Sequence, residues 1–131
     1  MRPAVLDTDV ISFLFKQDTR AALYLDQLRN RQVLTSFMTE AELEQWVLLS
    51  NWSPQRVDWL RLYLARFVVV SSSNDLSKKW AEVMVAARRH GRRIETADAW
   101  IAATALLYDA VLLTHNIADY QGVDNLRLTD A

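Results

Sequence analysis

The sequence predicts an α/β fold in which a short parallel sheet of four to five strands lies between two layers of helices. Short apolar runs, several of them rich in valine, alternate along the chain with longer segments of helical period. Only two glycines and two prolines occur among 131 residues, which favours helices joined by short connections. Strands separated by helices form βαβ units, and such units build a parallel sheet with helices on both faces.

Local patterns place each element in turn. Ser53 and Pro54 mark a helix start, with serine as the N-cap and proline at the first helical position. Gly91 is placed to end a long helix, and Thr96 is the predicted N-cap of the next one. The predicted strands are 4–6, 33–36, 67–70, 111–114 and a short edge strand at 126–128; the predicted helices are a short one near Val10 and then 19–30, 39–50, 54–65, 74–90 and 96–108.

Size and composition exclude several classes of protein. A chain of 131 residues is one domain, residues 1–131, and 51% hydrophobic with 24% charged residues is ordinary globular usage. The absence of cysteine excludes a disulfide framework, a thiolate metal site and a cysteine nucleophile. No apolar run reaches the roughly 18 residues of a membrane span, so we expect a soluble, cytoplasmic protein. Because the net charge is −1, any binding of nucleic acid must depend on local basic clusters or on a metal ion.

Acidic and amide side chains follow the predicted strands. Asp7 comes directly after the first strand, and Glu42 lies in the first turn of the helix after the second. Asp98 lies in the first turn of the helix at 96–108, while Asn116 and Asp119 come just after the fourth strand. Parallel sheets place their sites at the carboxyl ends of the strands, so we expect these residues to converge on one crevice.

Each acid also has a simpler explanation when it is taken alone. The helix dipole favours an acid in a first turn by about 0.3–1 kcal/mol. Asp7 and Asp9 could simply cap the short helix near Val10.

Helical spacing strengthens the functional interpretation for two of the acids. Asp98 shares its helix face with the small apolar residues at i+3, i+4 and i+7, which should pack on the sheet, so its carboxylate would be poorly solvated. Glu42 is aligned with Trp46 and Leu49 in the same way.

Carboxylates gathered in a partly apolar crevice repel one another, and a bound divalent cation relieves that repulsion. Oxygen ligands with no cysteine and only two histidines in the chain suit Mg²⁺ or Mn²⁺ rather than zinc. Because Mg²⁺ keeps water molecules that it can activate, metal-assisted hydrolysis of a phosphodiester is the expected chemistry.

Four segments then resemble a known family. VLDTDVISFLF, TSFMTEAELEQW, GRRIETADAWIAATAL and LLTHNIADYQGVDNL are similar to the four signature regions of PIN domains, specifically of VapC-type toxins, and their order and spacing cover nearly the whole chain. The resemblance implies an endoribonuclease that acts with Mg²⁺, often at one structured site in tRNA or rRNA. It also implies a toxin that forms a homodimer and binds a cognate antitoxin.

The resemblance assigns Asp7, Glu42 and Asp98 to the acidic core of the family, with Asp7 and Asp98 as the best direct metal ligands. Asn116 departs from the pattern, because the family often carries a fourth acid there. Asp119, three residues further on, can compensate. A site with one cation is therefore expected in preference to a site with two.

A basic cluster precedes the helix of Asp98, and it has two interpretations. Its arginines are a solvated helix end whose charge offsets the dipole, or they contact RNA phosphates, a second copy of the chain or the antitoxin. His115, just after the fourth strand, is a candidate general acid. The arginines of the cluster are Arg88, Arg89, Arg92 and Arg93.

Two rival functions stay open on the sequence. Asp7 and Asp9 after a strand, with Ser36 on the second strand, fit a haloacid dehalogenase-type phosphatase, although the chain is short for that fold and the further lysine and paired aspartates are not evident. A PIN-like module that binds RNA or protein without cutting is the other, and Asn116 is the residue that suggests it.

Overall fold

The computed structural model describes residues 1–128 and contains a five-stranded parallel sheet with the strand order β3-β2-β1-β4-β5. The order reverses between β1 and β4, which is where open parallel sheets form a crevice at their carboxyl ends. The strands are β1 (Ala4–Leu6), β2 (Val33–Ser36), β3 (Val68–Val70), β4 (Val111–Leu113) and β5 (Arg127–Leu128). The predicted fold class and all five predicted strands are confirmed.

Six helices and two 3₁₀ turns connect the strands. A 3₁₀ turn at Thr19–Ala21 leads into the second helix, and another at Ile117–Tyr120 follows β4. The helices are α1 (Thr8–Lys16), α2 (Ala22–Leu28), α3 (Phe37–Ser50), α4 (Pro54–Leu64), α5 (Asn74–Arg89) and α6 (Thr96–Leu107).

The sheet separates two hydrophobic clusters, as the alternation of side chains along β1 requires. Val5 belongs to the cluster beneath α5 and α6, whereas Ala4 and Leu6 belong to the cluster beneath α1, α3 and α4. All three side chains are completely buried. Helices cover both faces, so the predicted three-layer arrangement is confirmed.

Two helix starts differ from the predicted ones because capping side chains act earlier in the chain. Ser36 accepts a hydrogen bond from the backbone N–H of Met38, so α3 begins at Phe37 rather than at residue 39. Glu42 is consequently the sixth residue of α3, not a first-turn residue. Asp18 caps a 3₁₀ turn, and only residues 22–28 of the predicted helix 19–30 are α-helical.

The junction between α5 and α6 tests two further predictions. Gly91 has a φ of +66° directly after the end of α5, which confirms that this glycine ends the helix. The prediction for Thr96 is wrong: Glu95 holds the N-cap position of α6, and Thr96 is the first helical residue. Asp98 still lies in the first turn, as predicted.

None of the helices within residues 1–128 combines the length and the apolar character that a span across a bilayer requires.

Candidate active site

Asp7 is the most buried acid of the crevice, and every hydrogen bond it accepts comes from the elements around the crevice. It caps α1 by accepting the Thr8 N–H at Oδ1, 2.8 Å away. Its Oδ2 accepts the hydroxyl of Thr114 at 2.8 Å and that of Tyr120 at 2.9 Å. The capping interpretation of Asp7 is therefore correct, but capping uses one oxygen only. The other oxygen, Oδ2, accepts hydrogen bonds from two groups that follow β4.

The Glu42 carboxylate is connected to the same region by the hydroxyl groups of two threonines. The Thr8 hydroxyl lies 2.7 Å from Glu42 Oε1 and 3.0 Å from the Thr39 hydroxyl. Because a hydroxyl carries one proton, Thr8 donates to Glu42 and accepts from Thr39. Trp46, one turn further on, is half-buried, but Leu49 is 76% exposed. The apolar face expected around Glu42 is thus only half present, and Thr8 is what fixes this carboxylate.

Asp98 projects into the crevice from the first turn of α6. The expected packing of its helix face is confirmed, since Ile101, Ala102 and Ala105 are completely buried. Its Oδ1 lies 3.4 Å from the hydroxyl of Tyr120, the group that also contacts Asp7. One phenol thus joins the acid that follows β1 to the acid that opens α6.

Asp9 is an acid of the crevice that the predicted set of site residues omitted. Its Oδ2 accepts the backbone N–H of His115 at 3.2 Å and the side-chain amide of Asn116 at 3.0 Å. Its Oδ1 is shielded from solvent and has no hydrogen-bond partner within residues 1–128. Asn116 therefore contacts an acid that lies two residues after Asp7 in the chain. His115 directs Nδ1 to the Tyr24 hydroxyl, 3.0 Å away, and packs edge-on against Phe13.

The electrostatics of these acids are dominated by burial and by one another's negative charge. Burial, followed by the charge of Asp7, raises the pKa of Asp9 to about 7. Burial, followed by the charges of Asp7, Asp119 and Glu42, raises the pKa of Asp98 to about 6. Burial also raises the pKa of Asp7, although its hydrogen bonds oppose that rise, and it raises the pKa of Glu42. The charges that perturb these groups most are all negative.

The donor set suits a hard divalent cation. All candidate donors are carboxylate, hydroxyl or amide oxygens, and Asp9 Oδ1 is a buried oxygen in need of a partner. Asp119 is exposed but close enough to raise the pKa of both Asp7 and Asp98. Across residues 1–128 no group of three acidic or histidine side chains forms a ready-made metal cage. Hydroxyl groups lie between the carboxylates instead. Such an arrangement suits a cation that keeps several of its water molecules better than a cation whose ligands all come from the protein.

The basic cluster is divided by the structure. Arg88, Arg92 and Arg93 line a cleft of about 530 Å³ that extends to Glu95 and Thr96, at the start of the helix that carries Asp98. Arg89 lines a different depression on the outer face of α5.

Arg92 is also held in place by the chain that follows β4. Its Nη1 donates to Gln121 Oε1 at 3.0 Å, and a Cβ at Gly122 would stand only 2.8 Å from the Arg92 Cβ. Three of the four predicted arginines therefore line this cleft. Arg88 and Arg93 are exposed, and within residues 1–128 no side-chain hydrogen bond like that of Arg92 holds them in place.

The sequence-based site omitted several residues of the crevice, among them Tyr120, Asp9, Thr8 and Thr114. Asp9 carried a usable signal, because it lies two residues after Asp7 in the same Asp-Thr-Asp motif. Tyr120 carried none, since an aromatic residue near the end of an α/β chain is expected to be part of the core.

Comparisons with known proteins agree with this geometry. The chain is 31% identical to Ribonuclease VapC1 of Haemophilus influenzae, over 96% of each chain. The structure of VapBC-1 from nontypeable Haemophilus influenzae matches with a TM-score of 0.81 and 29% identity, covering 97% of this chain and 96% of that one. VapBC-5 from Mycobacterium tuberculosis, a member of the VapBC family of toxin–antitoxin systems, matches with a TM-score of 0.73 and 26% identity over the whole of both chains. The PIN domain family model matches residues 4–122, and this chain is therefore a member of the PIN domain family.

Proposed function

We propose that this chain is an endoribonuclease that depends on Mg²⁺, with Mn²⁺ as an alternative, and that it is the toxin of a toxin–antitoxin pair acting in the cytoplasm. The observation that carries the proposal is the convergence of buried and half-buried carboxylates from β1, α3 and α6 on one crevice, where they raise one another's pKa. The relatives named as ribonuclease and as toxin–antitoxin systems support it. Membership of the PIN family argues against the phosphatase alternative.

The residues of the crevice divide into two groups in this proposal. Asp7 and Asp98 hold the cation, because one hydroxyl, that of Tyr120, contacts both carboxylates. Glu42, Asn116 and Asp119 complete the catalytic set: the two acids add negative charge on either side, while Asn116 fixes Asp9. When bound, the cation offsets the charge that develops as the phosphodiester breaks.

The arginine cleft supplies positive charge for binding RNA. Arg88, Arg92 and Arg93 lie beside the start of α6, where they can hold RNA phosphates within reach of Asp98. Arg89 faces away from this cleft, so it contributes less to RNA binding than the others.

An antitoxin can inhibit the chain by placing a positive charge in the crevice. An arginine or lysine placed among the carboxylates would offset their negative charge and so compete with the cation. A toxin of this type is expected to form a homodimer, and its RNA substrate to be a structured RNA such as tRNA or rRNA.

Cleavage of structured RNA by the purified chain tests the proposal. We expect Mg²⁺ or Mn²⁺ to support cleavage and EDTA to stop it. Asp98→Asn should reduce the rate by roughly 10³-fold, since losing a cation costs several kcal/mol of transition-state stabilisation. Asp58→Asn, at an exposed acid on α4, is the matched control and should cleave normally.

Expression in cells gives an independent measurement. The wild-type chain should arrest growth, and Asp98→Ala or co-expression of the antitoxin should relieve the arrest. RNA that is bound but not cut in Mg²⁺ or Mn²⁺ would instead favour a non-catalytic binding module. Arrest by a folded Asp98→Ala protein would show that the toxicity does not come from cleavage.

A further inference from the structure

The Tyr120 hydroxyl occupies an unusual position for a core aromatic residue. Only 1% of the residue is exposed, and its ring packs in the hydrophobic cluster beneath α5 and α6. Its oxygen nevertheless lies 2.9 Å from Asp7 Oδ2 and 3.4 Å from Asp98 Oδ1. A phenol has one proton to donate, and the shorter contact directs that proton principally to Asp7.

The two oxygens of Asp7 are therefore not equivalent. Oδ2 accepts two hydroxyl hydrogen bonds, from Thr114 and Tyr120, and a carboxylate oxygen offers two lone pairs. Oδ1 accepts only the Thr8 N–H among the described contacts. The accepting capacity that is left on Asp7 thus lies on Oδ1.

We propose that Tyr120 is a positioning residue that makes Asp7 a ligand through a single oxygen and thereby favours Mg²⁺ or Mn²⁺ over Ca²⁺. Ca²⁺ often takes both oxygens of one carboxylate, whereas Mg²⁺ needs few carboxylates and keeps its waters. Hydrogen bonds to the outer side of a ligand orient it, and losing them weakens metal affinity by about 10- to 100-fold. This inference rests on the proposed function, because it assumes that the crevice binds a cation.

A hydroxyl between two carboxylates could act in the opposite way. If it merely filled the place of the cation, removing it would strengthen metal binding. If Tyr120 served only to fill the core, removing the hydroxyl would leave both cations bound as before. Tyr120→Phe separates these cases because it keeps the ring and removes only the donor.

Titration calorimetry with Mn²⁺ and with Ca²⁺ tests the inference on the full chain. Tyr120→Phe should weaken Mn²⁺ binding about tenfold. Its Ca²⁺ affinity should fall by about threefold or less, because the freed lone pair of Oδ2 becomes available to the larger ion. Tyr108→Phe, at a tyrosine that is 48% exposed, is the matched control and should bind both ions like the wild type.

The other possible outcomes reject either the role of Tyr120 or the proposed function. Unchanged or tighter Mn²⁺ binding by Tyr120→Phe, or an equal loss for both ions, overturns the positioning role. A wild-type chain that binds neither ion, even with RNA present, overturns the proposed function instead. Should Tyr120→Phe fail to fold, Thr114→Val removes the other donor to Oδ2 and should narrow the preference for Mn²⁺ in the same direction.

Discussion

The acidic crevice and the arginine cleft both lie at the start of α6, but they differ in charge and in burial. Asp7 is 7% exposed and accepts three hydrogen bonds, whereas Arg88, in the last turn of α5, and Arg93, in the connection to α6, are exposed. In the crevice, burial makes each charge costly and each contact specific. In the cleft, solvent screens the charges, so their effects should be small and additive. The function of the crevice should therefore depend on individual atoms, and that of the cleft on the number of charges.

The largest effect on stability should distinguish two acids within the crevice. Asp7→Ala leaves buried donors on Thr8, Thr114 and Tyr120 without an acceptor, and an unpaired buried group costs about 1–3 kcal/mol. Asp98→Ala leaves one long contact unmade. In EDTA, urea denaturation should therefore find Asp7→Ala less stable than Asp98→Ala by about 1–3 kcal/mol.

Equal stability of the two variants would show that the hydrogen bonds to Asp7 contribute little. The expected difference also makes Asp98→Ala the cleaner variant for the growth assay. Removal of Asp7 should also affect the core, because Asp7 is itself part of the buried network.

A smaller effect is expected from pH. The pKa of Asp98 is raised to about 6 and that of Asp9 to about 7, so the fold favours the neutral form of each. The stability that these groups contribute is fully present below their unfolded pKa, near 4, and is lost as pH rises through about 6 to 7. The melting temperature of the metal-free chain should therefore fall between pH 5 and pH 8.

Mn²⁺ should reverse that loss at pH 8, because a cation that binds only the folded state stabilises it and requires deprotonated ligands. Thermal scans in EDTA and in Mn²⁺ make the measurement. Asp98→Asn should flatten the profile in EDTA. A melting temperature that rises steadily over this interval in EDTA would contradict the burial and mutual repulsion of the acids in the crevice.

The smallest effect should come from the arginine cleft. Replacing Arg88 and Arg93 together should weaken RNA binding modestly and reduce its salt slope by about 1.4, the value for two lost phosphate contacts on a single strand. Arg89→Ala is the control, since Arg89 lies outside the cleft. An unchanged salt slope in the double variant would show that these arginines do not contact RNA phosphates and are only a solvated helix end.

Periodicity predicted the position of Asp98 but not that of Glu42. The i+3, i+4 and i+7 neighbours of Asp98 are completely buried because α6 packs against the middle of the sheet. The same argument for Glu42 fails at Leu49, which is 76% exposed where α3 extends beyond the sheet. Helical spacing fixes which residues share a face, but it does not fix how far a neighbouring layer extends along that face.

The division of the arginines illustrates a second limit. Arg88 and Arg89 are adjacent in sequence and equal in charge, but successive residues of a helix point about 100° apart. Only Arg88 faces the cleft toward α6. Which of them can reach a ligand at the crevice depends on where α6 packs, and local sequence does not encode that.

Local sequence is sufficient to predict the fold class, the strand ends and the acids that follow them, because alternating short apolar runs and helical periods are local properties of the chain. Which oxygen of each acid is free, and which hydroxyl holds the other, depends on how the layers pack. Tyr120 is 113 residues from Asp7 and 22 from Asp98, and its hydroxyl lies between their carboxylates only because β1 and β4 pair and α6 packs across both. Hydrogen bonds act over about 3 Å, so their partners are fixed only once the layers have packed.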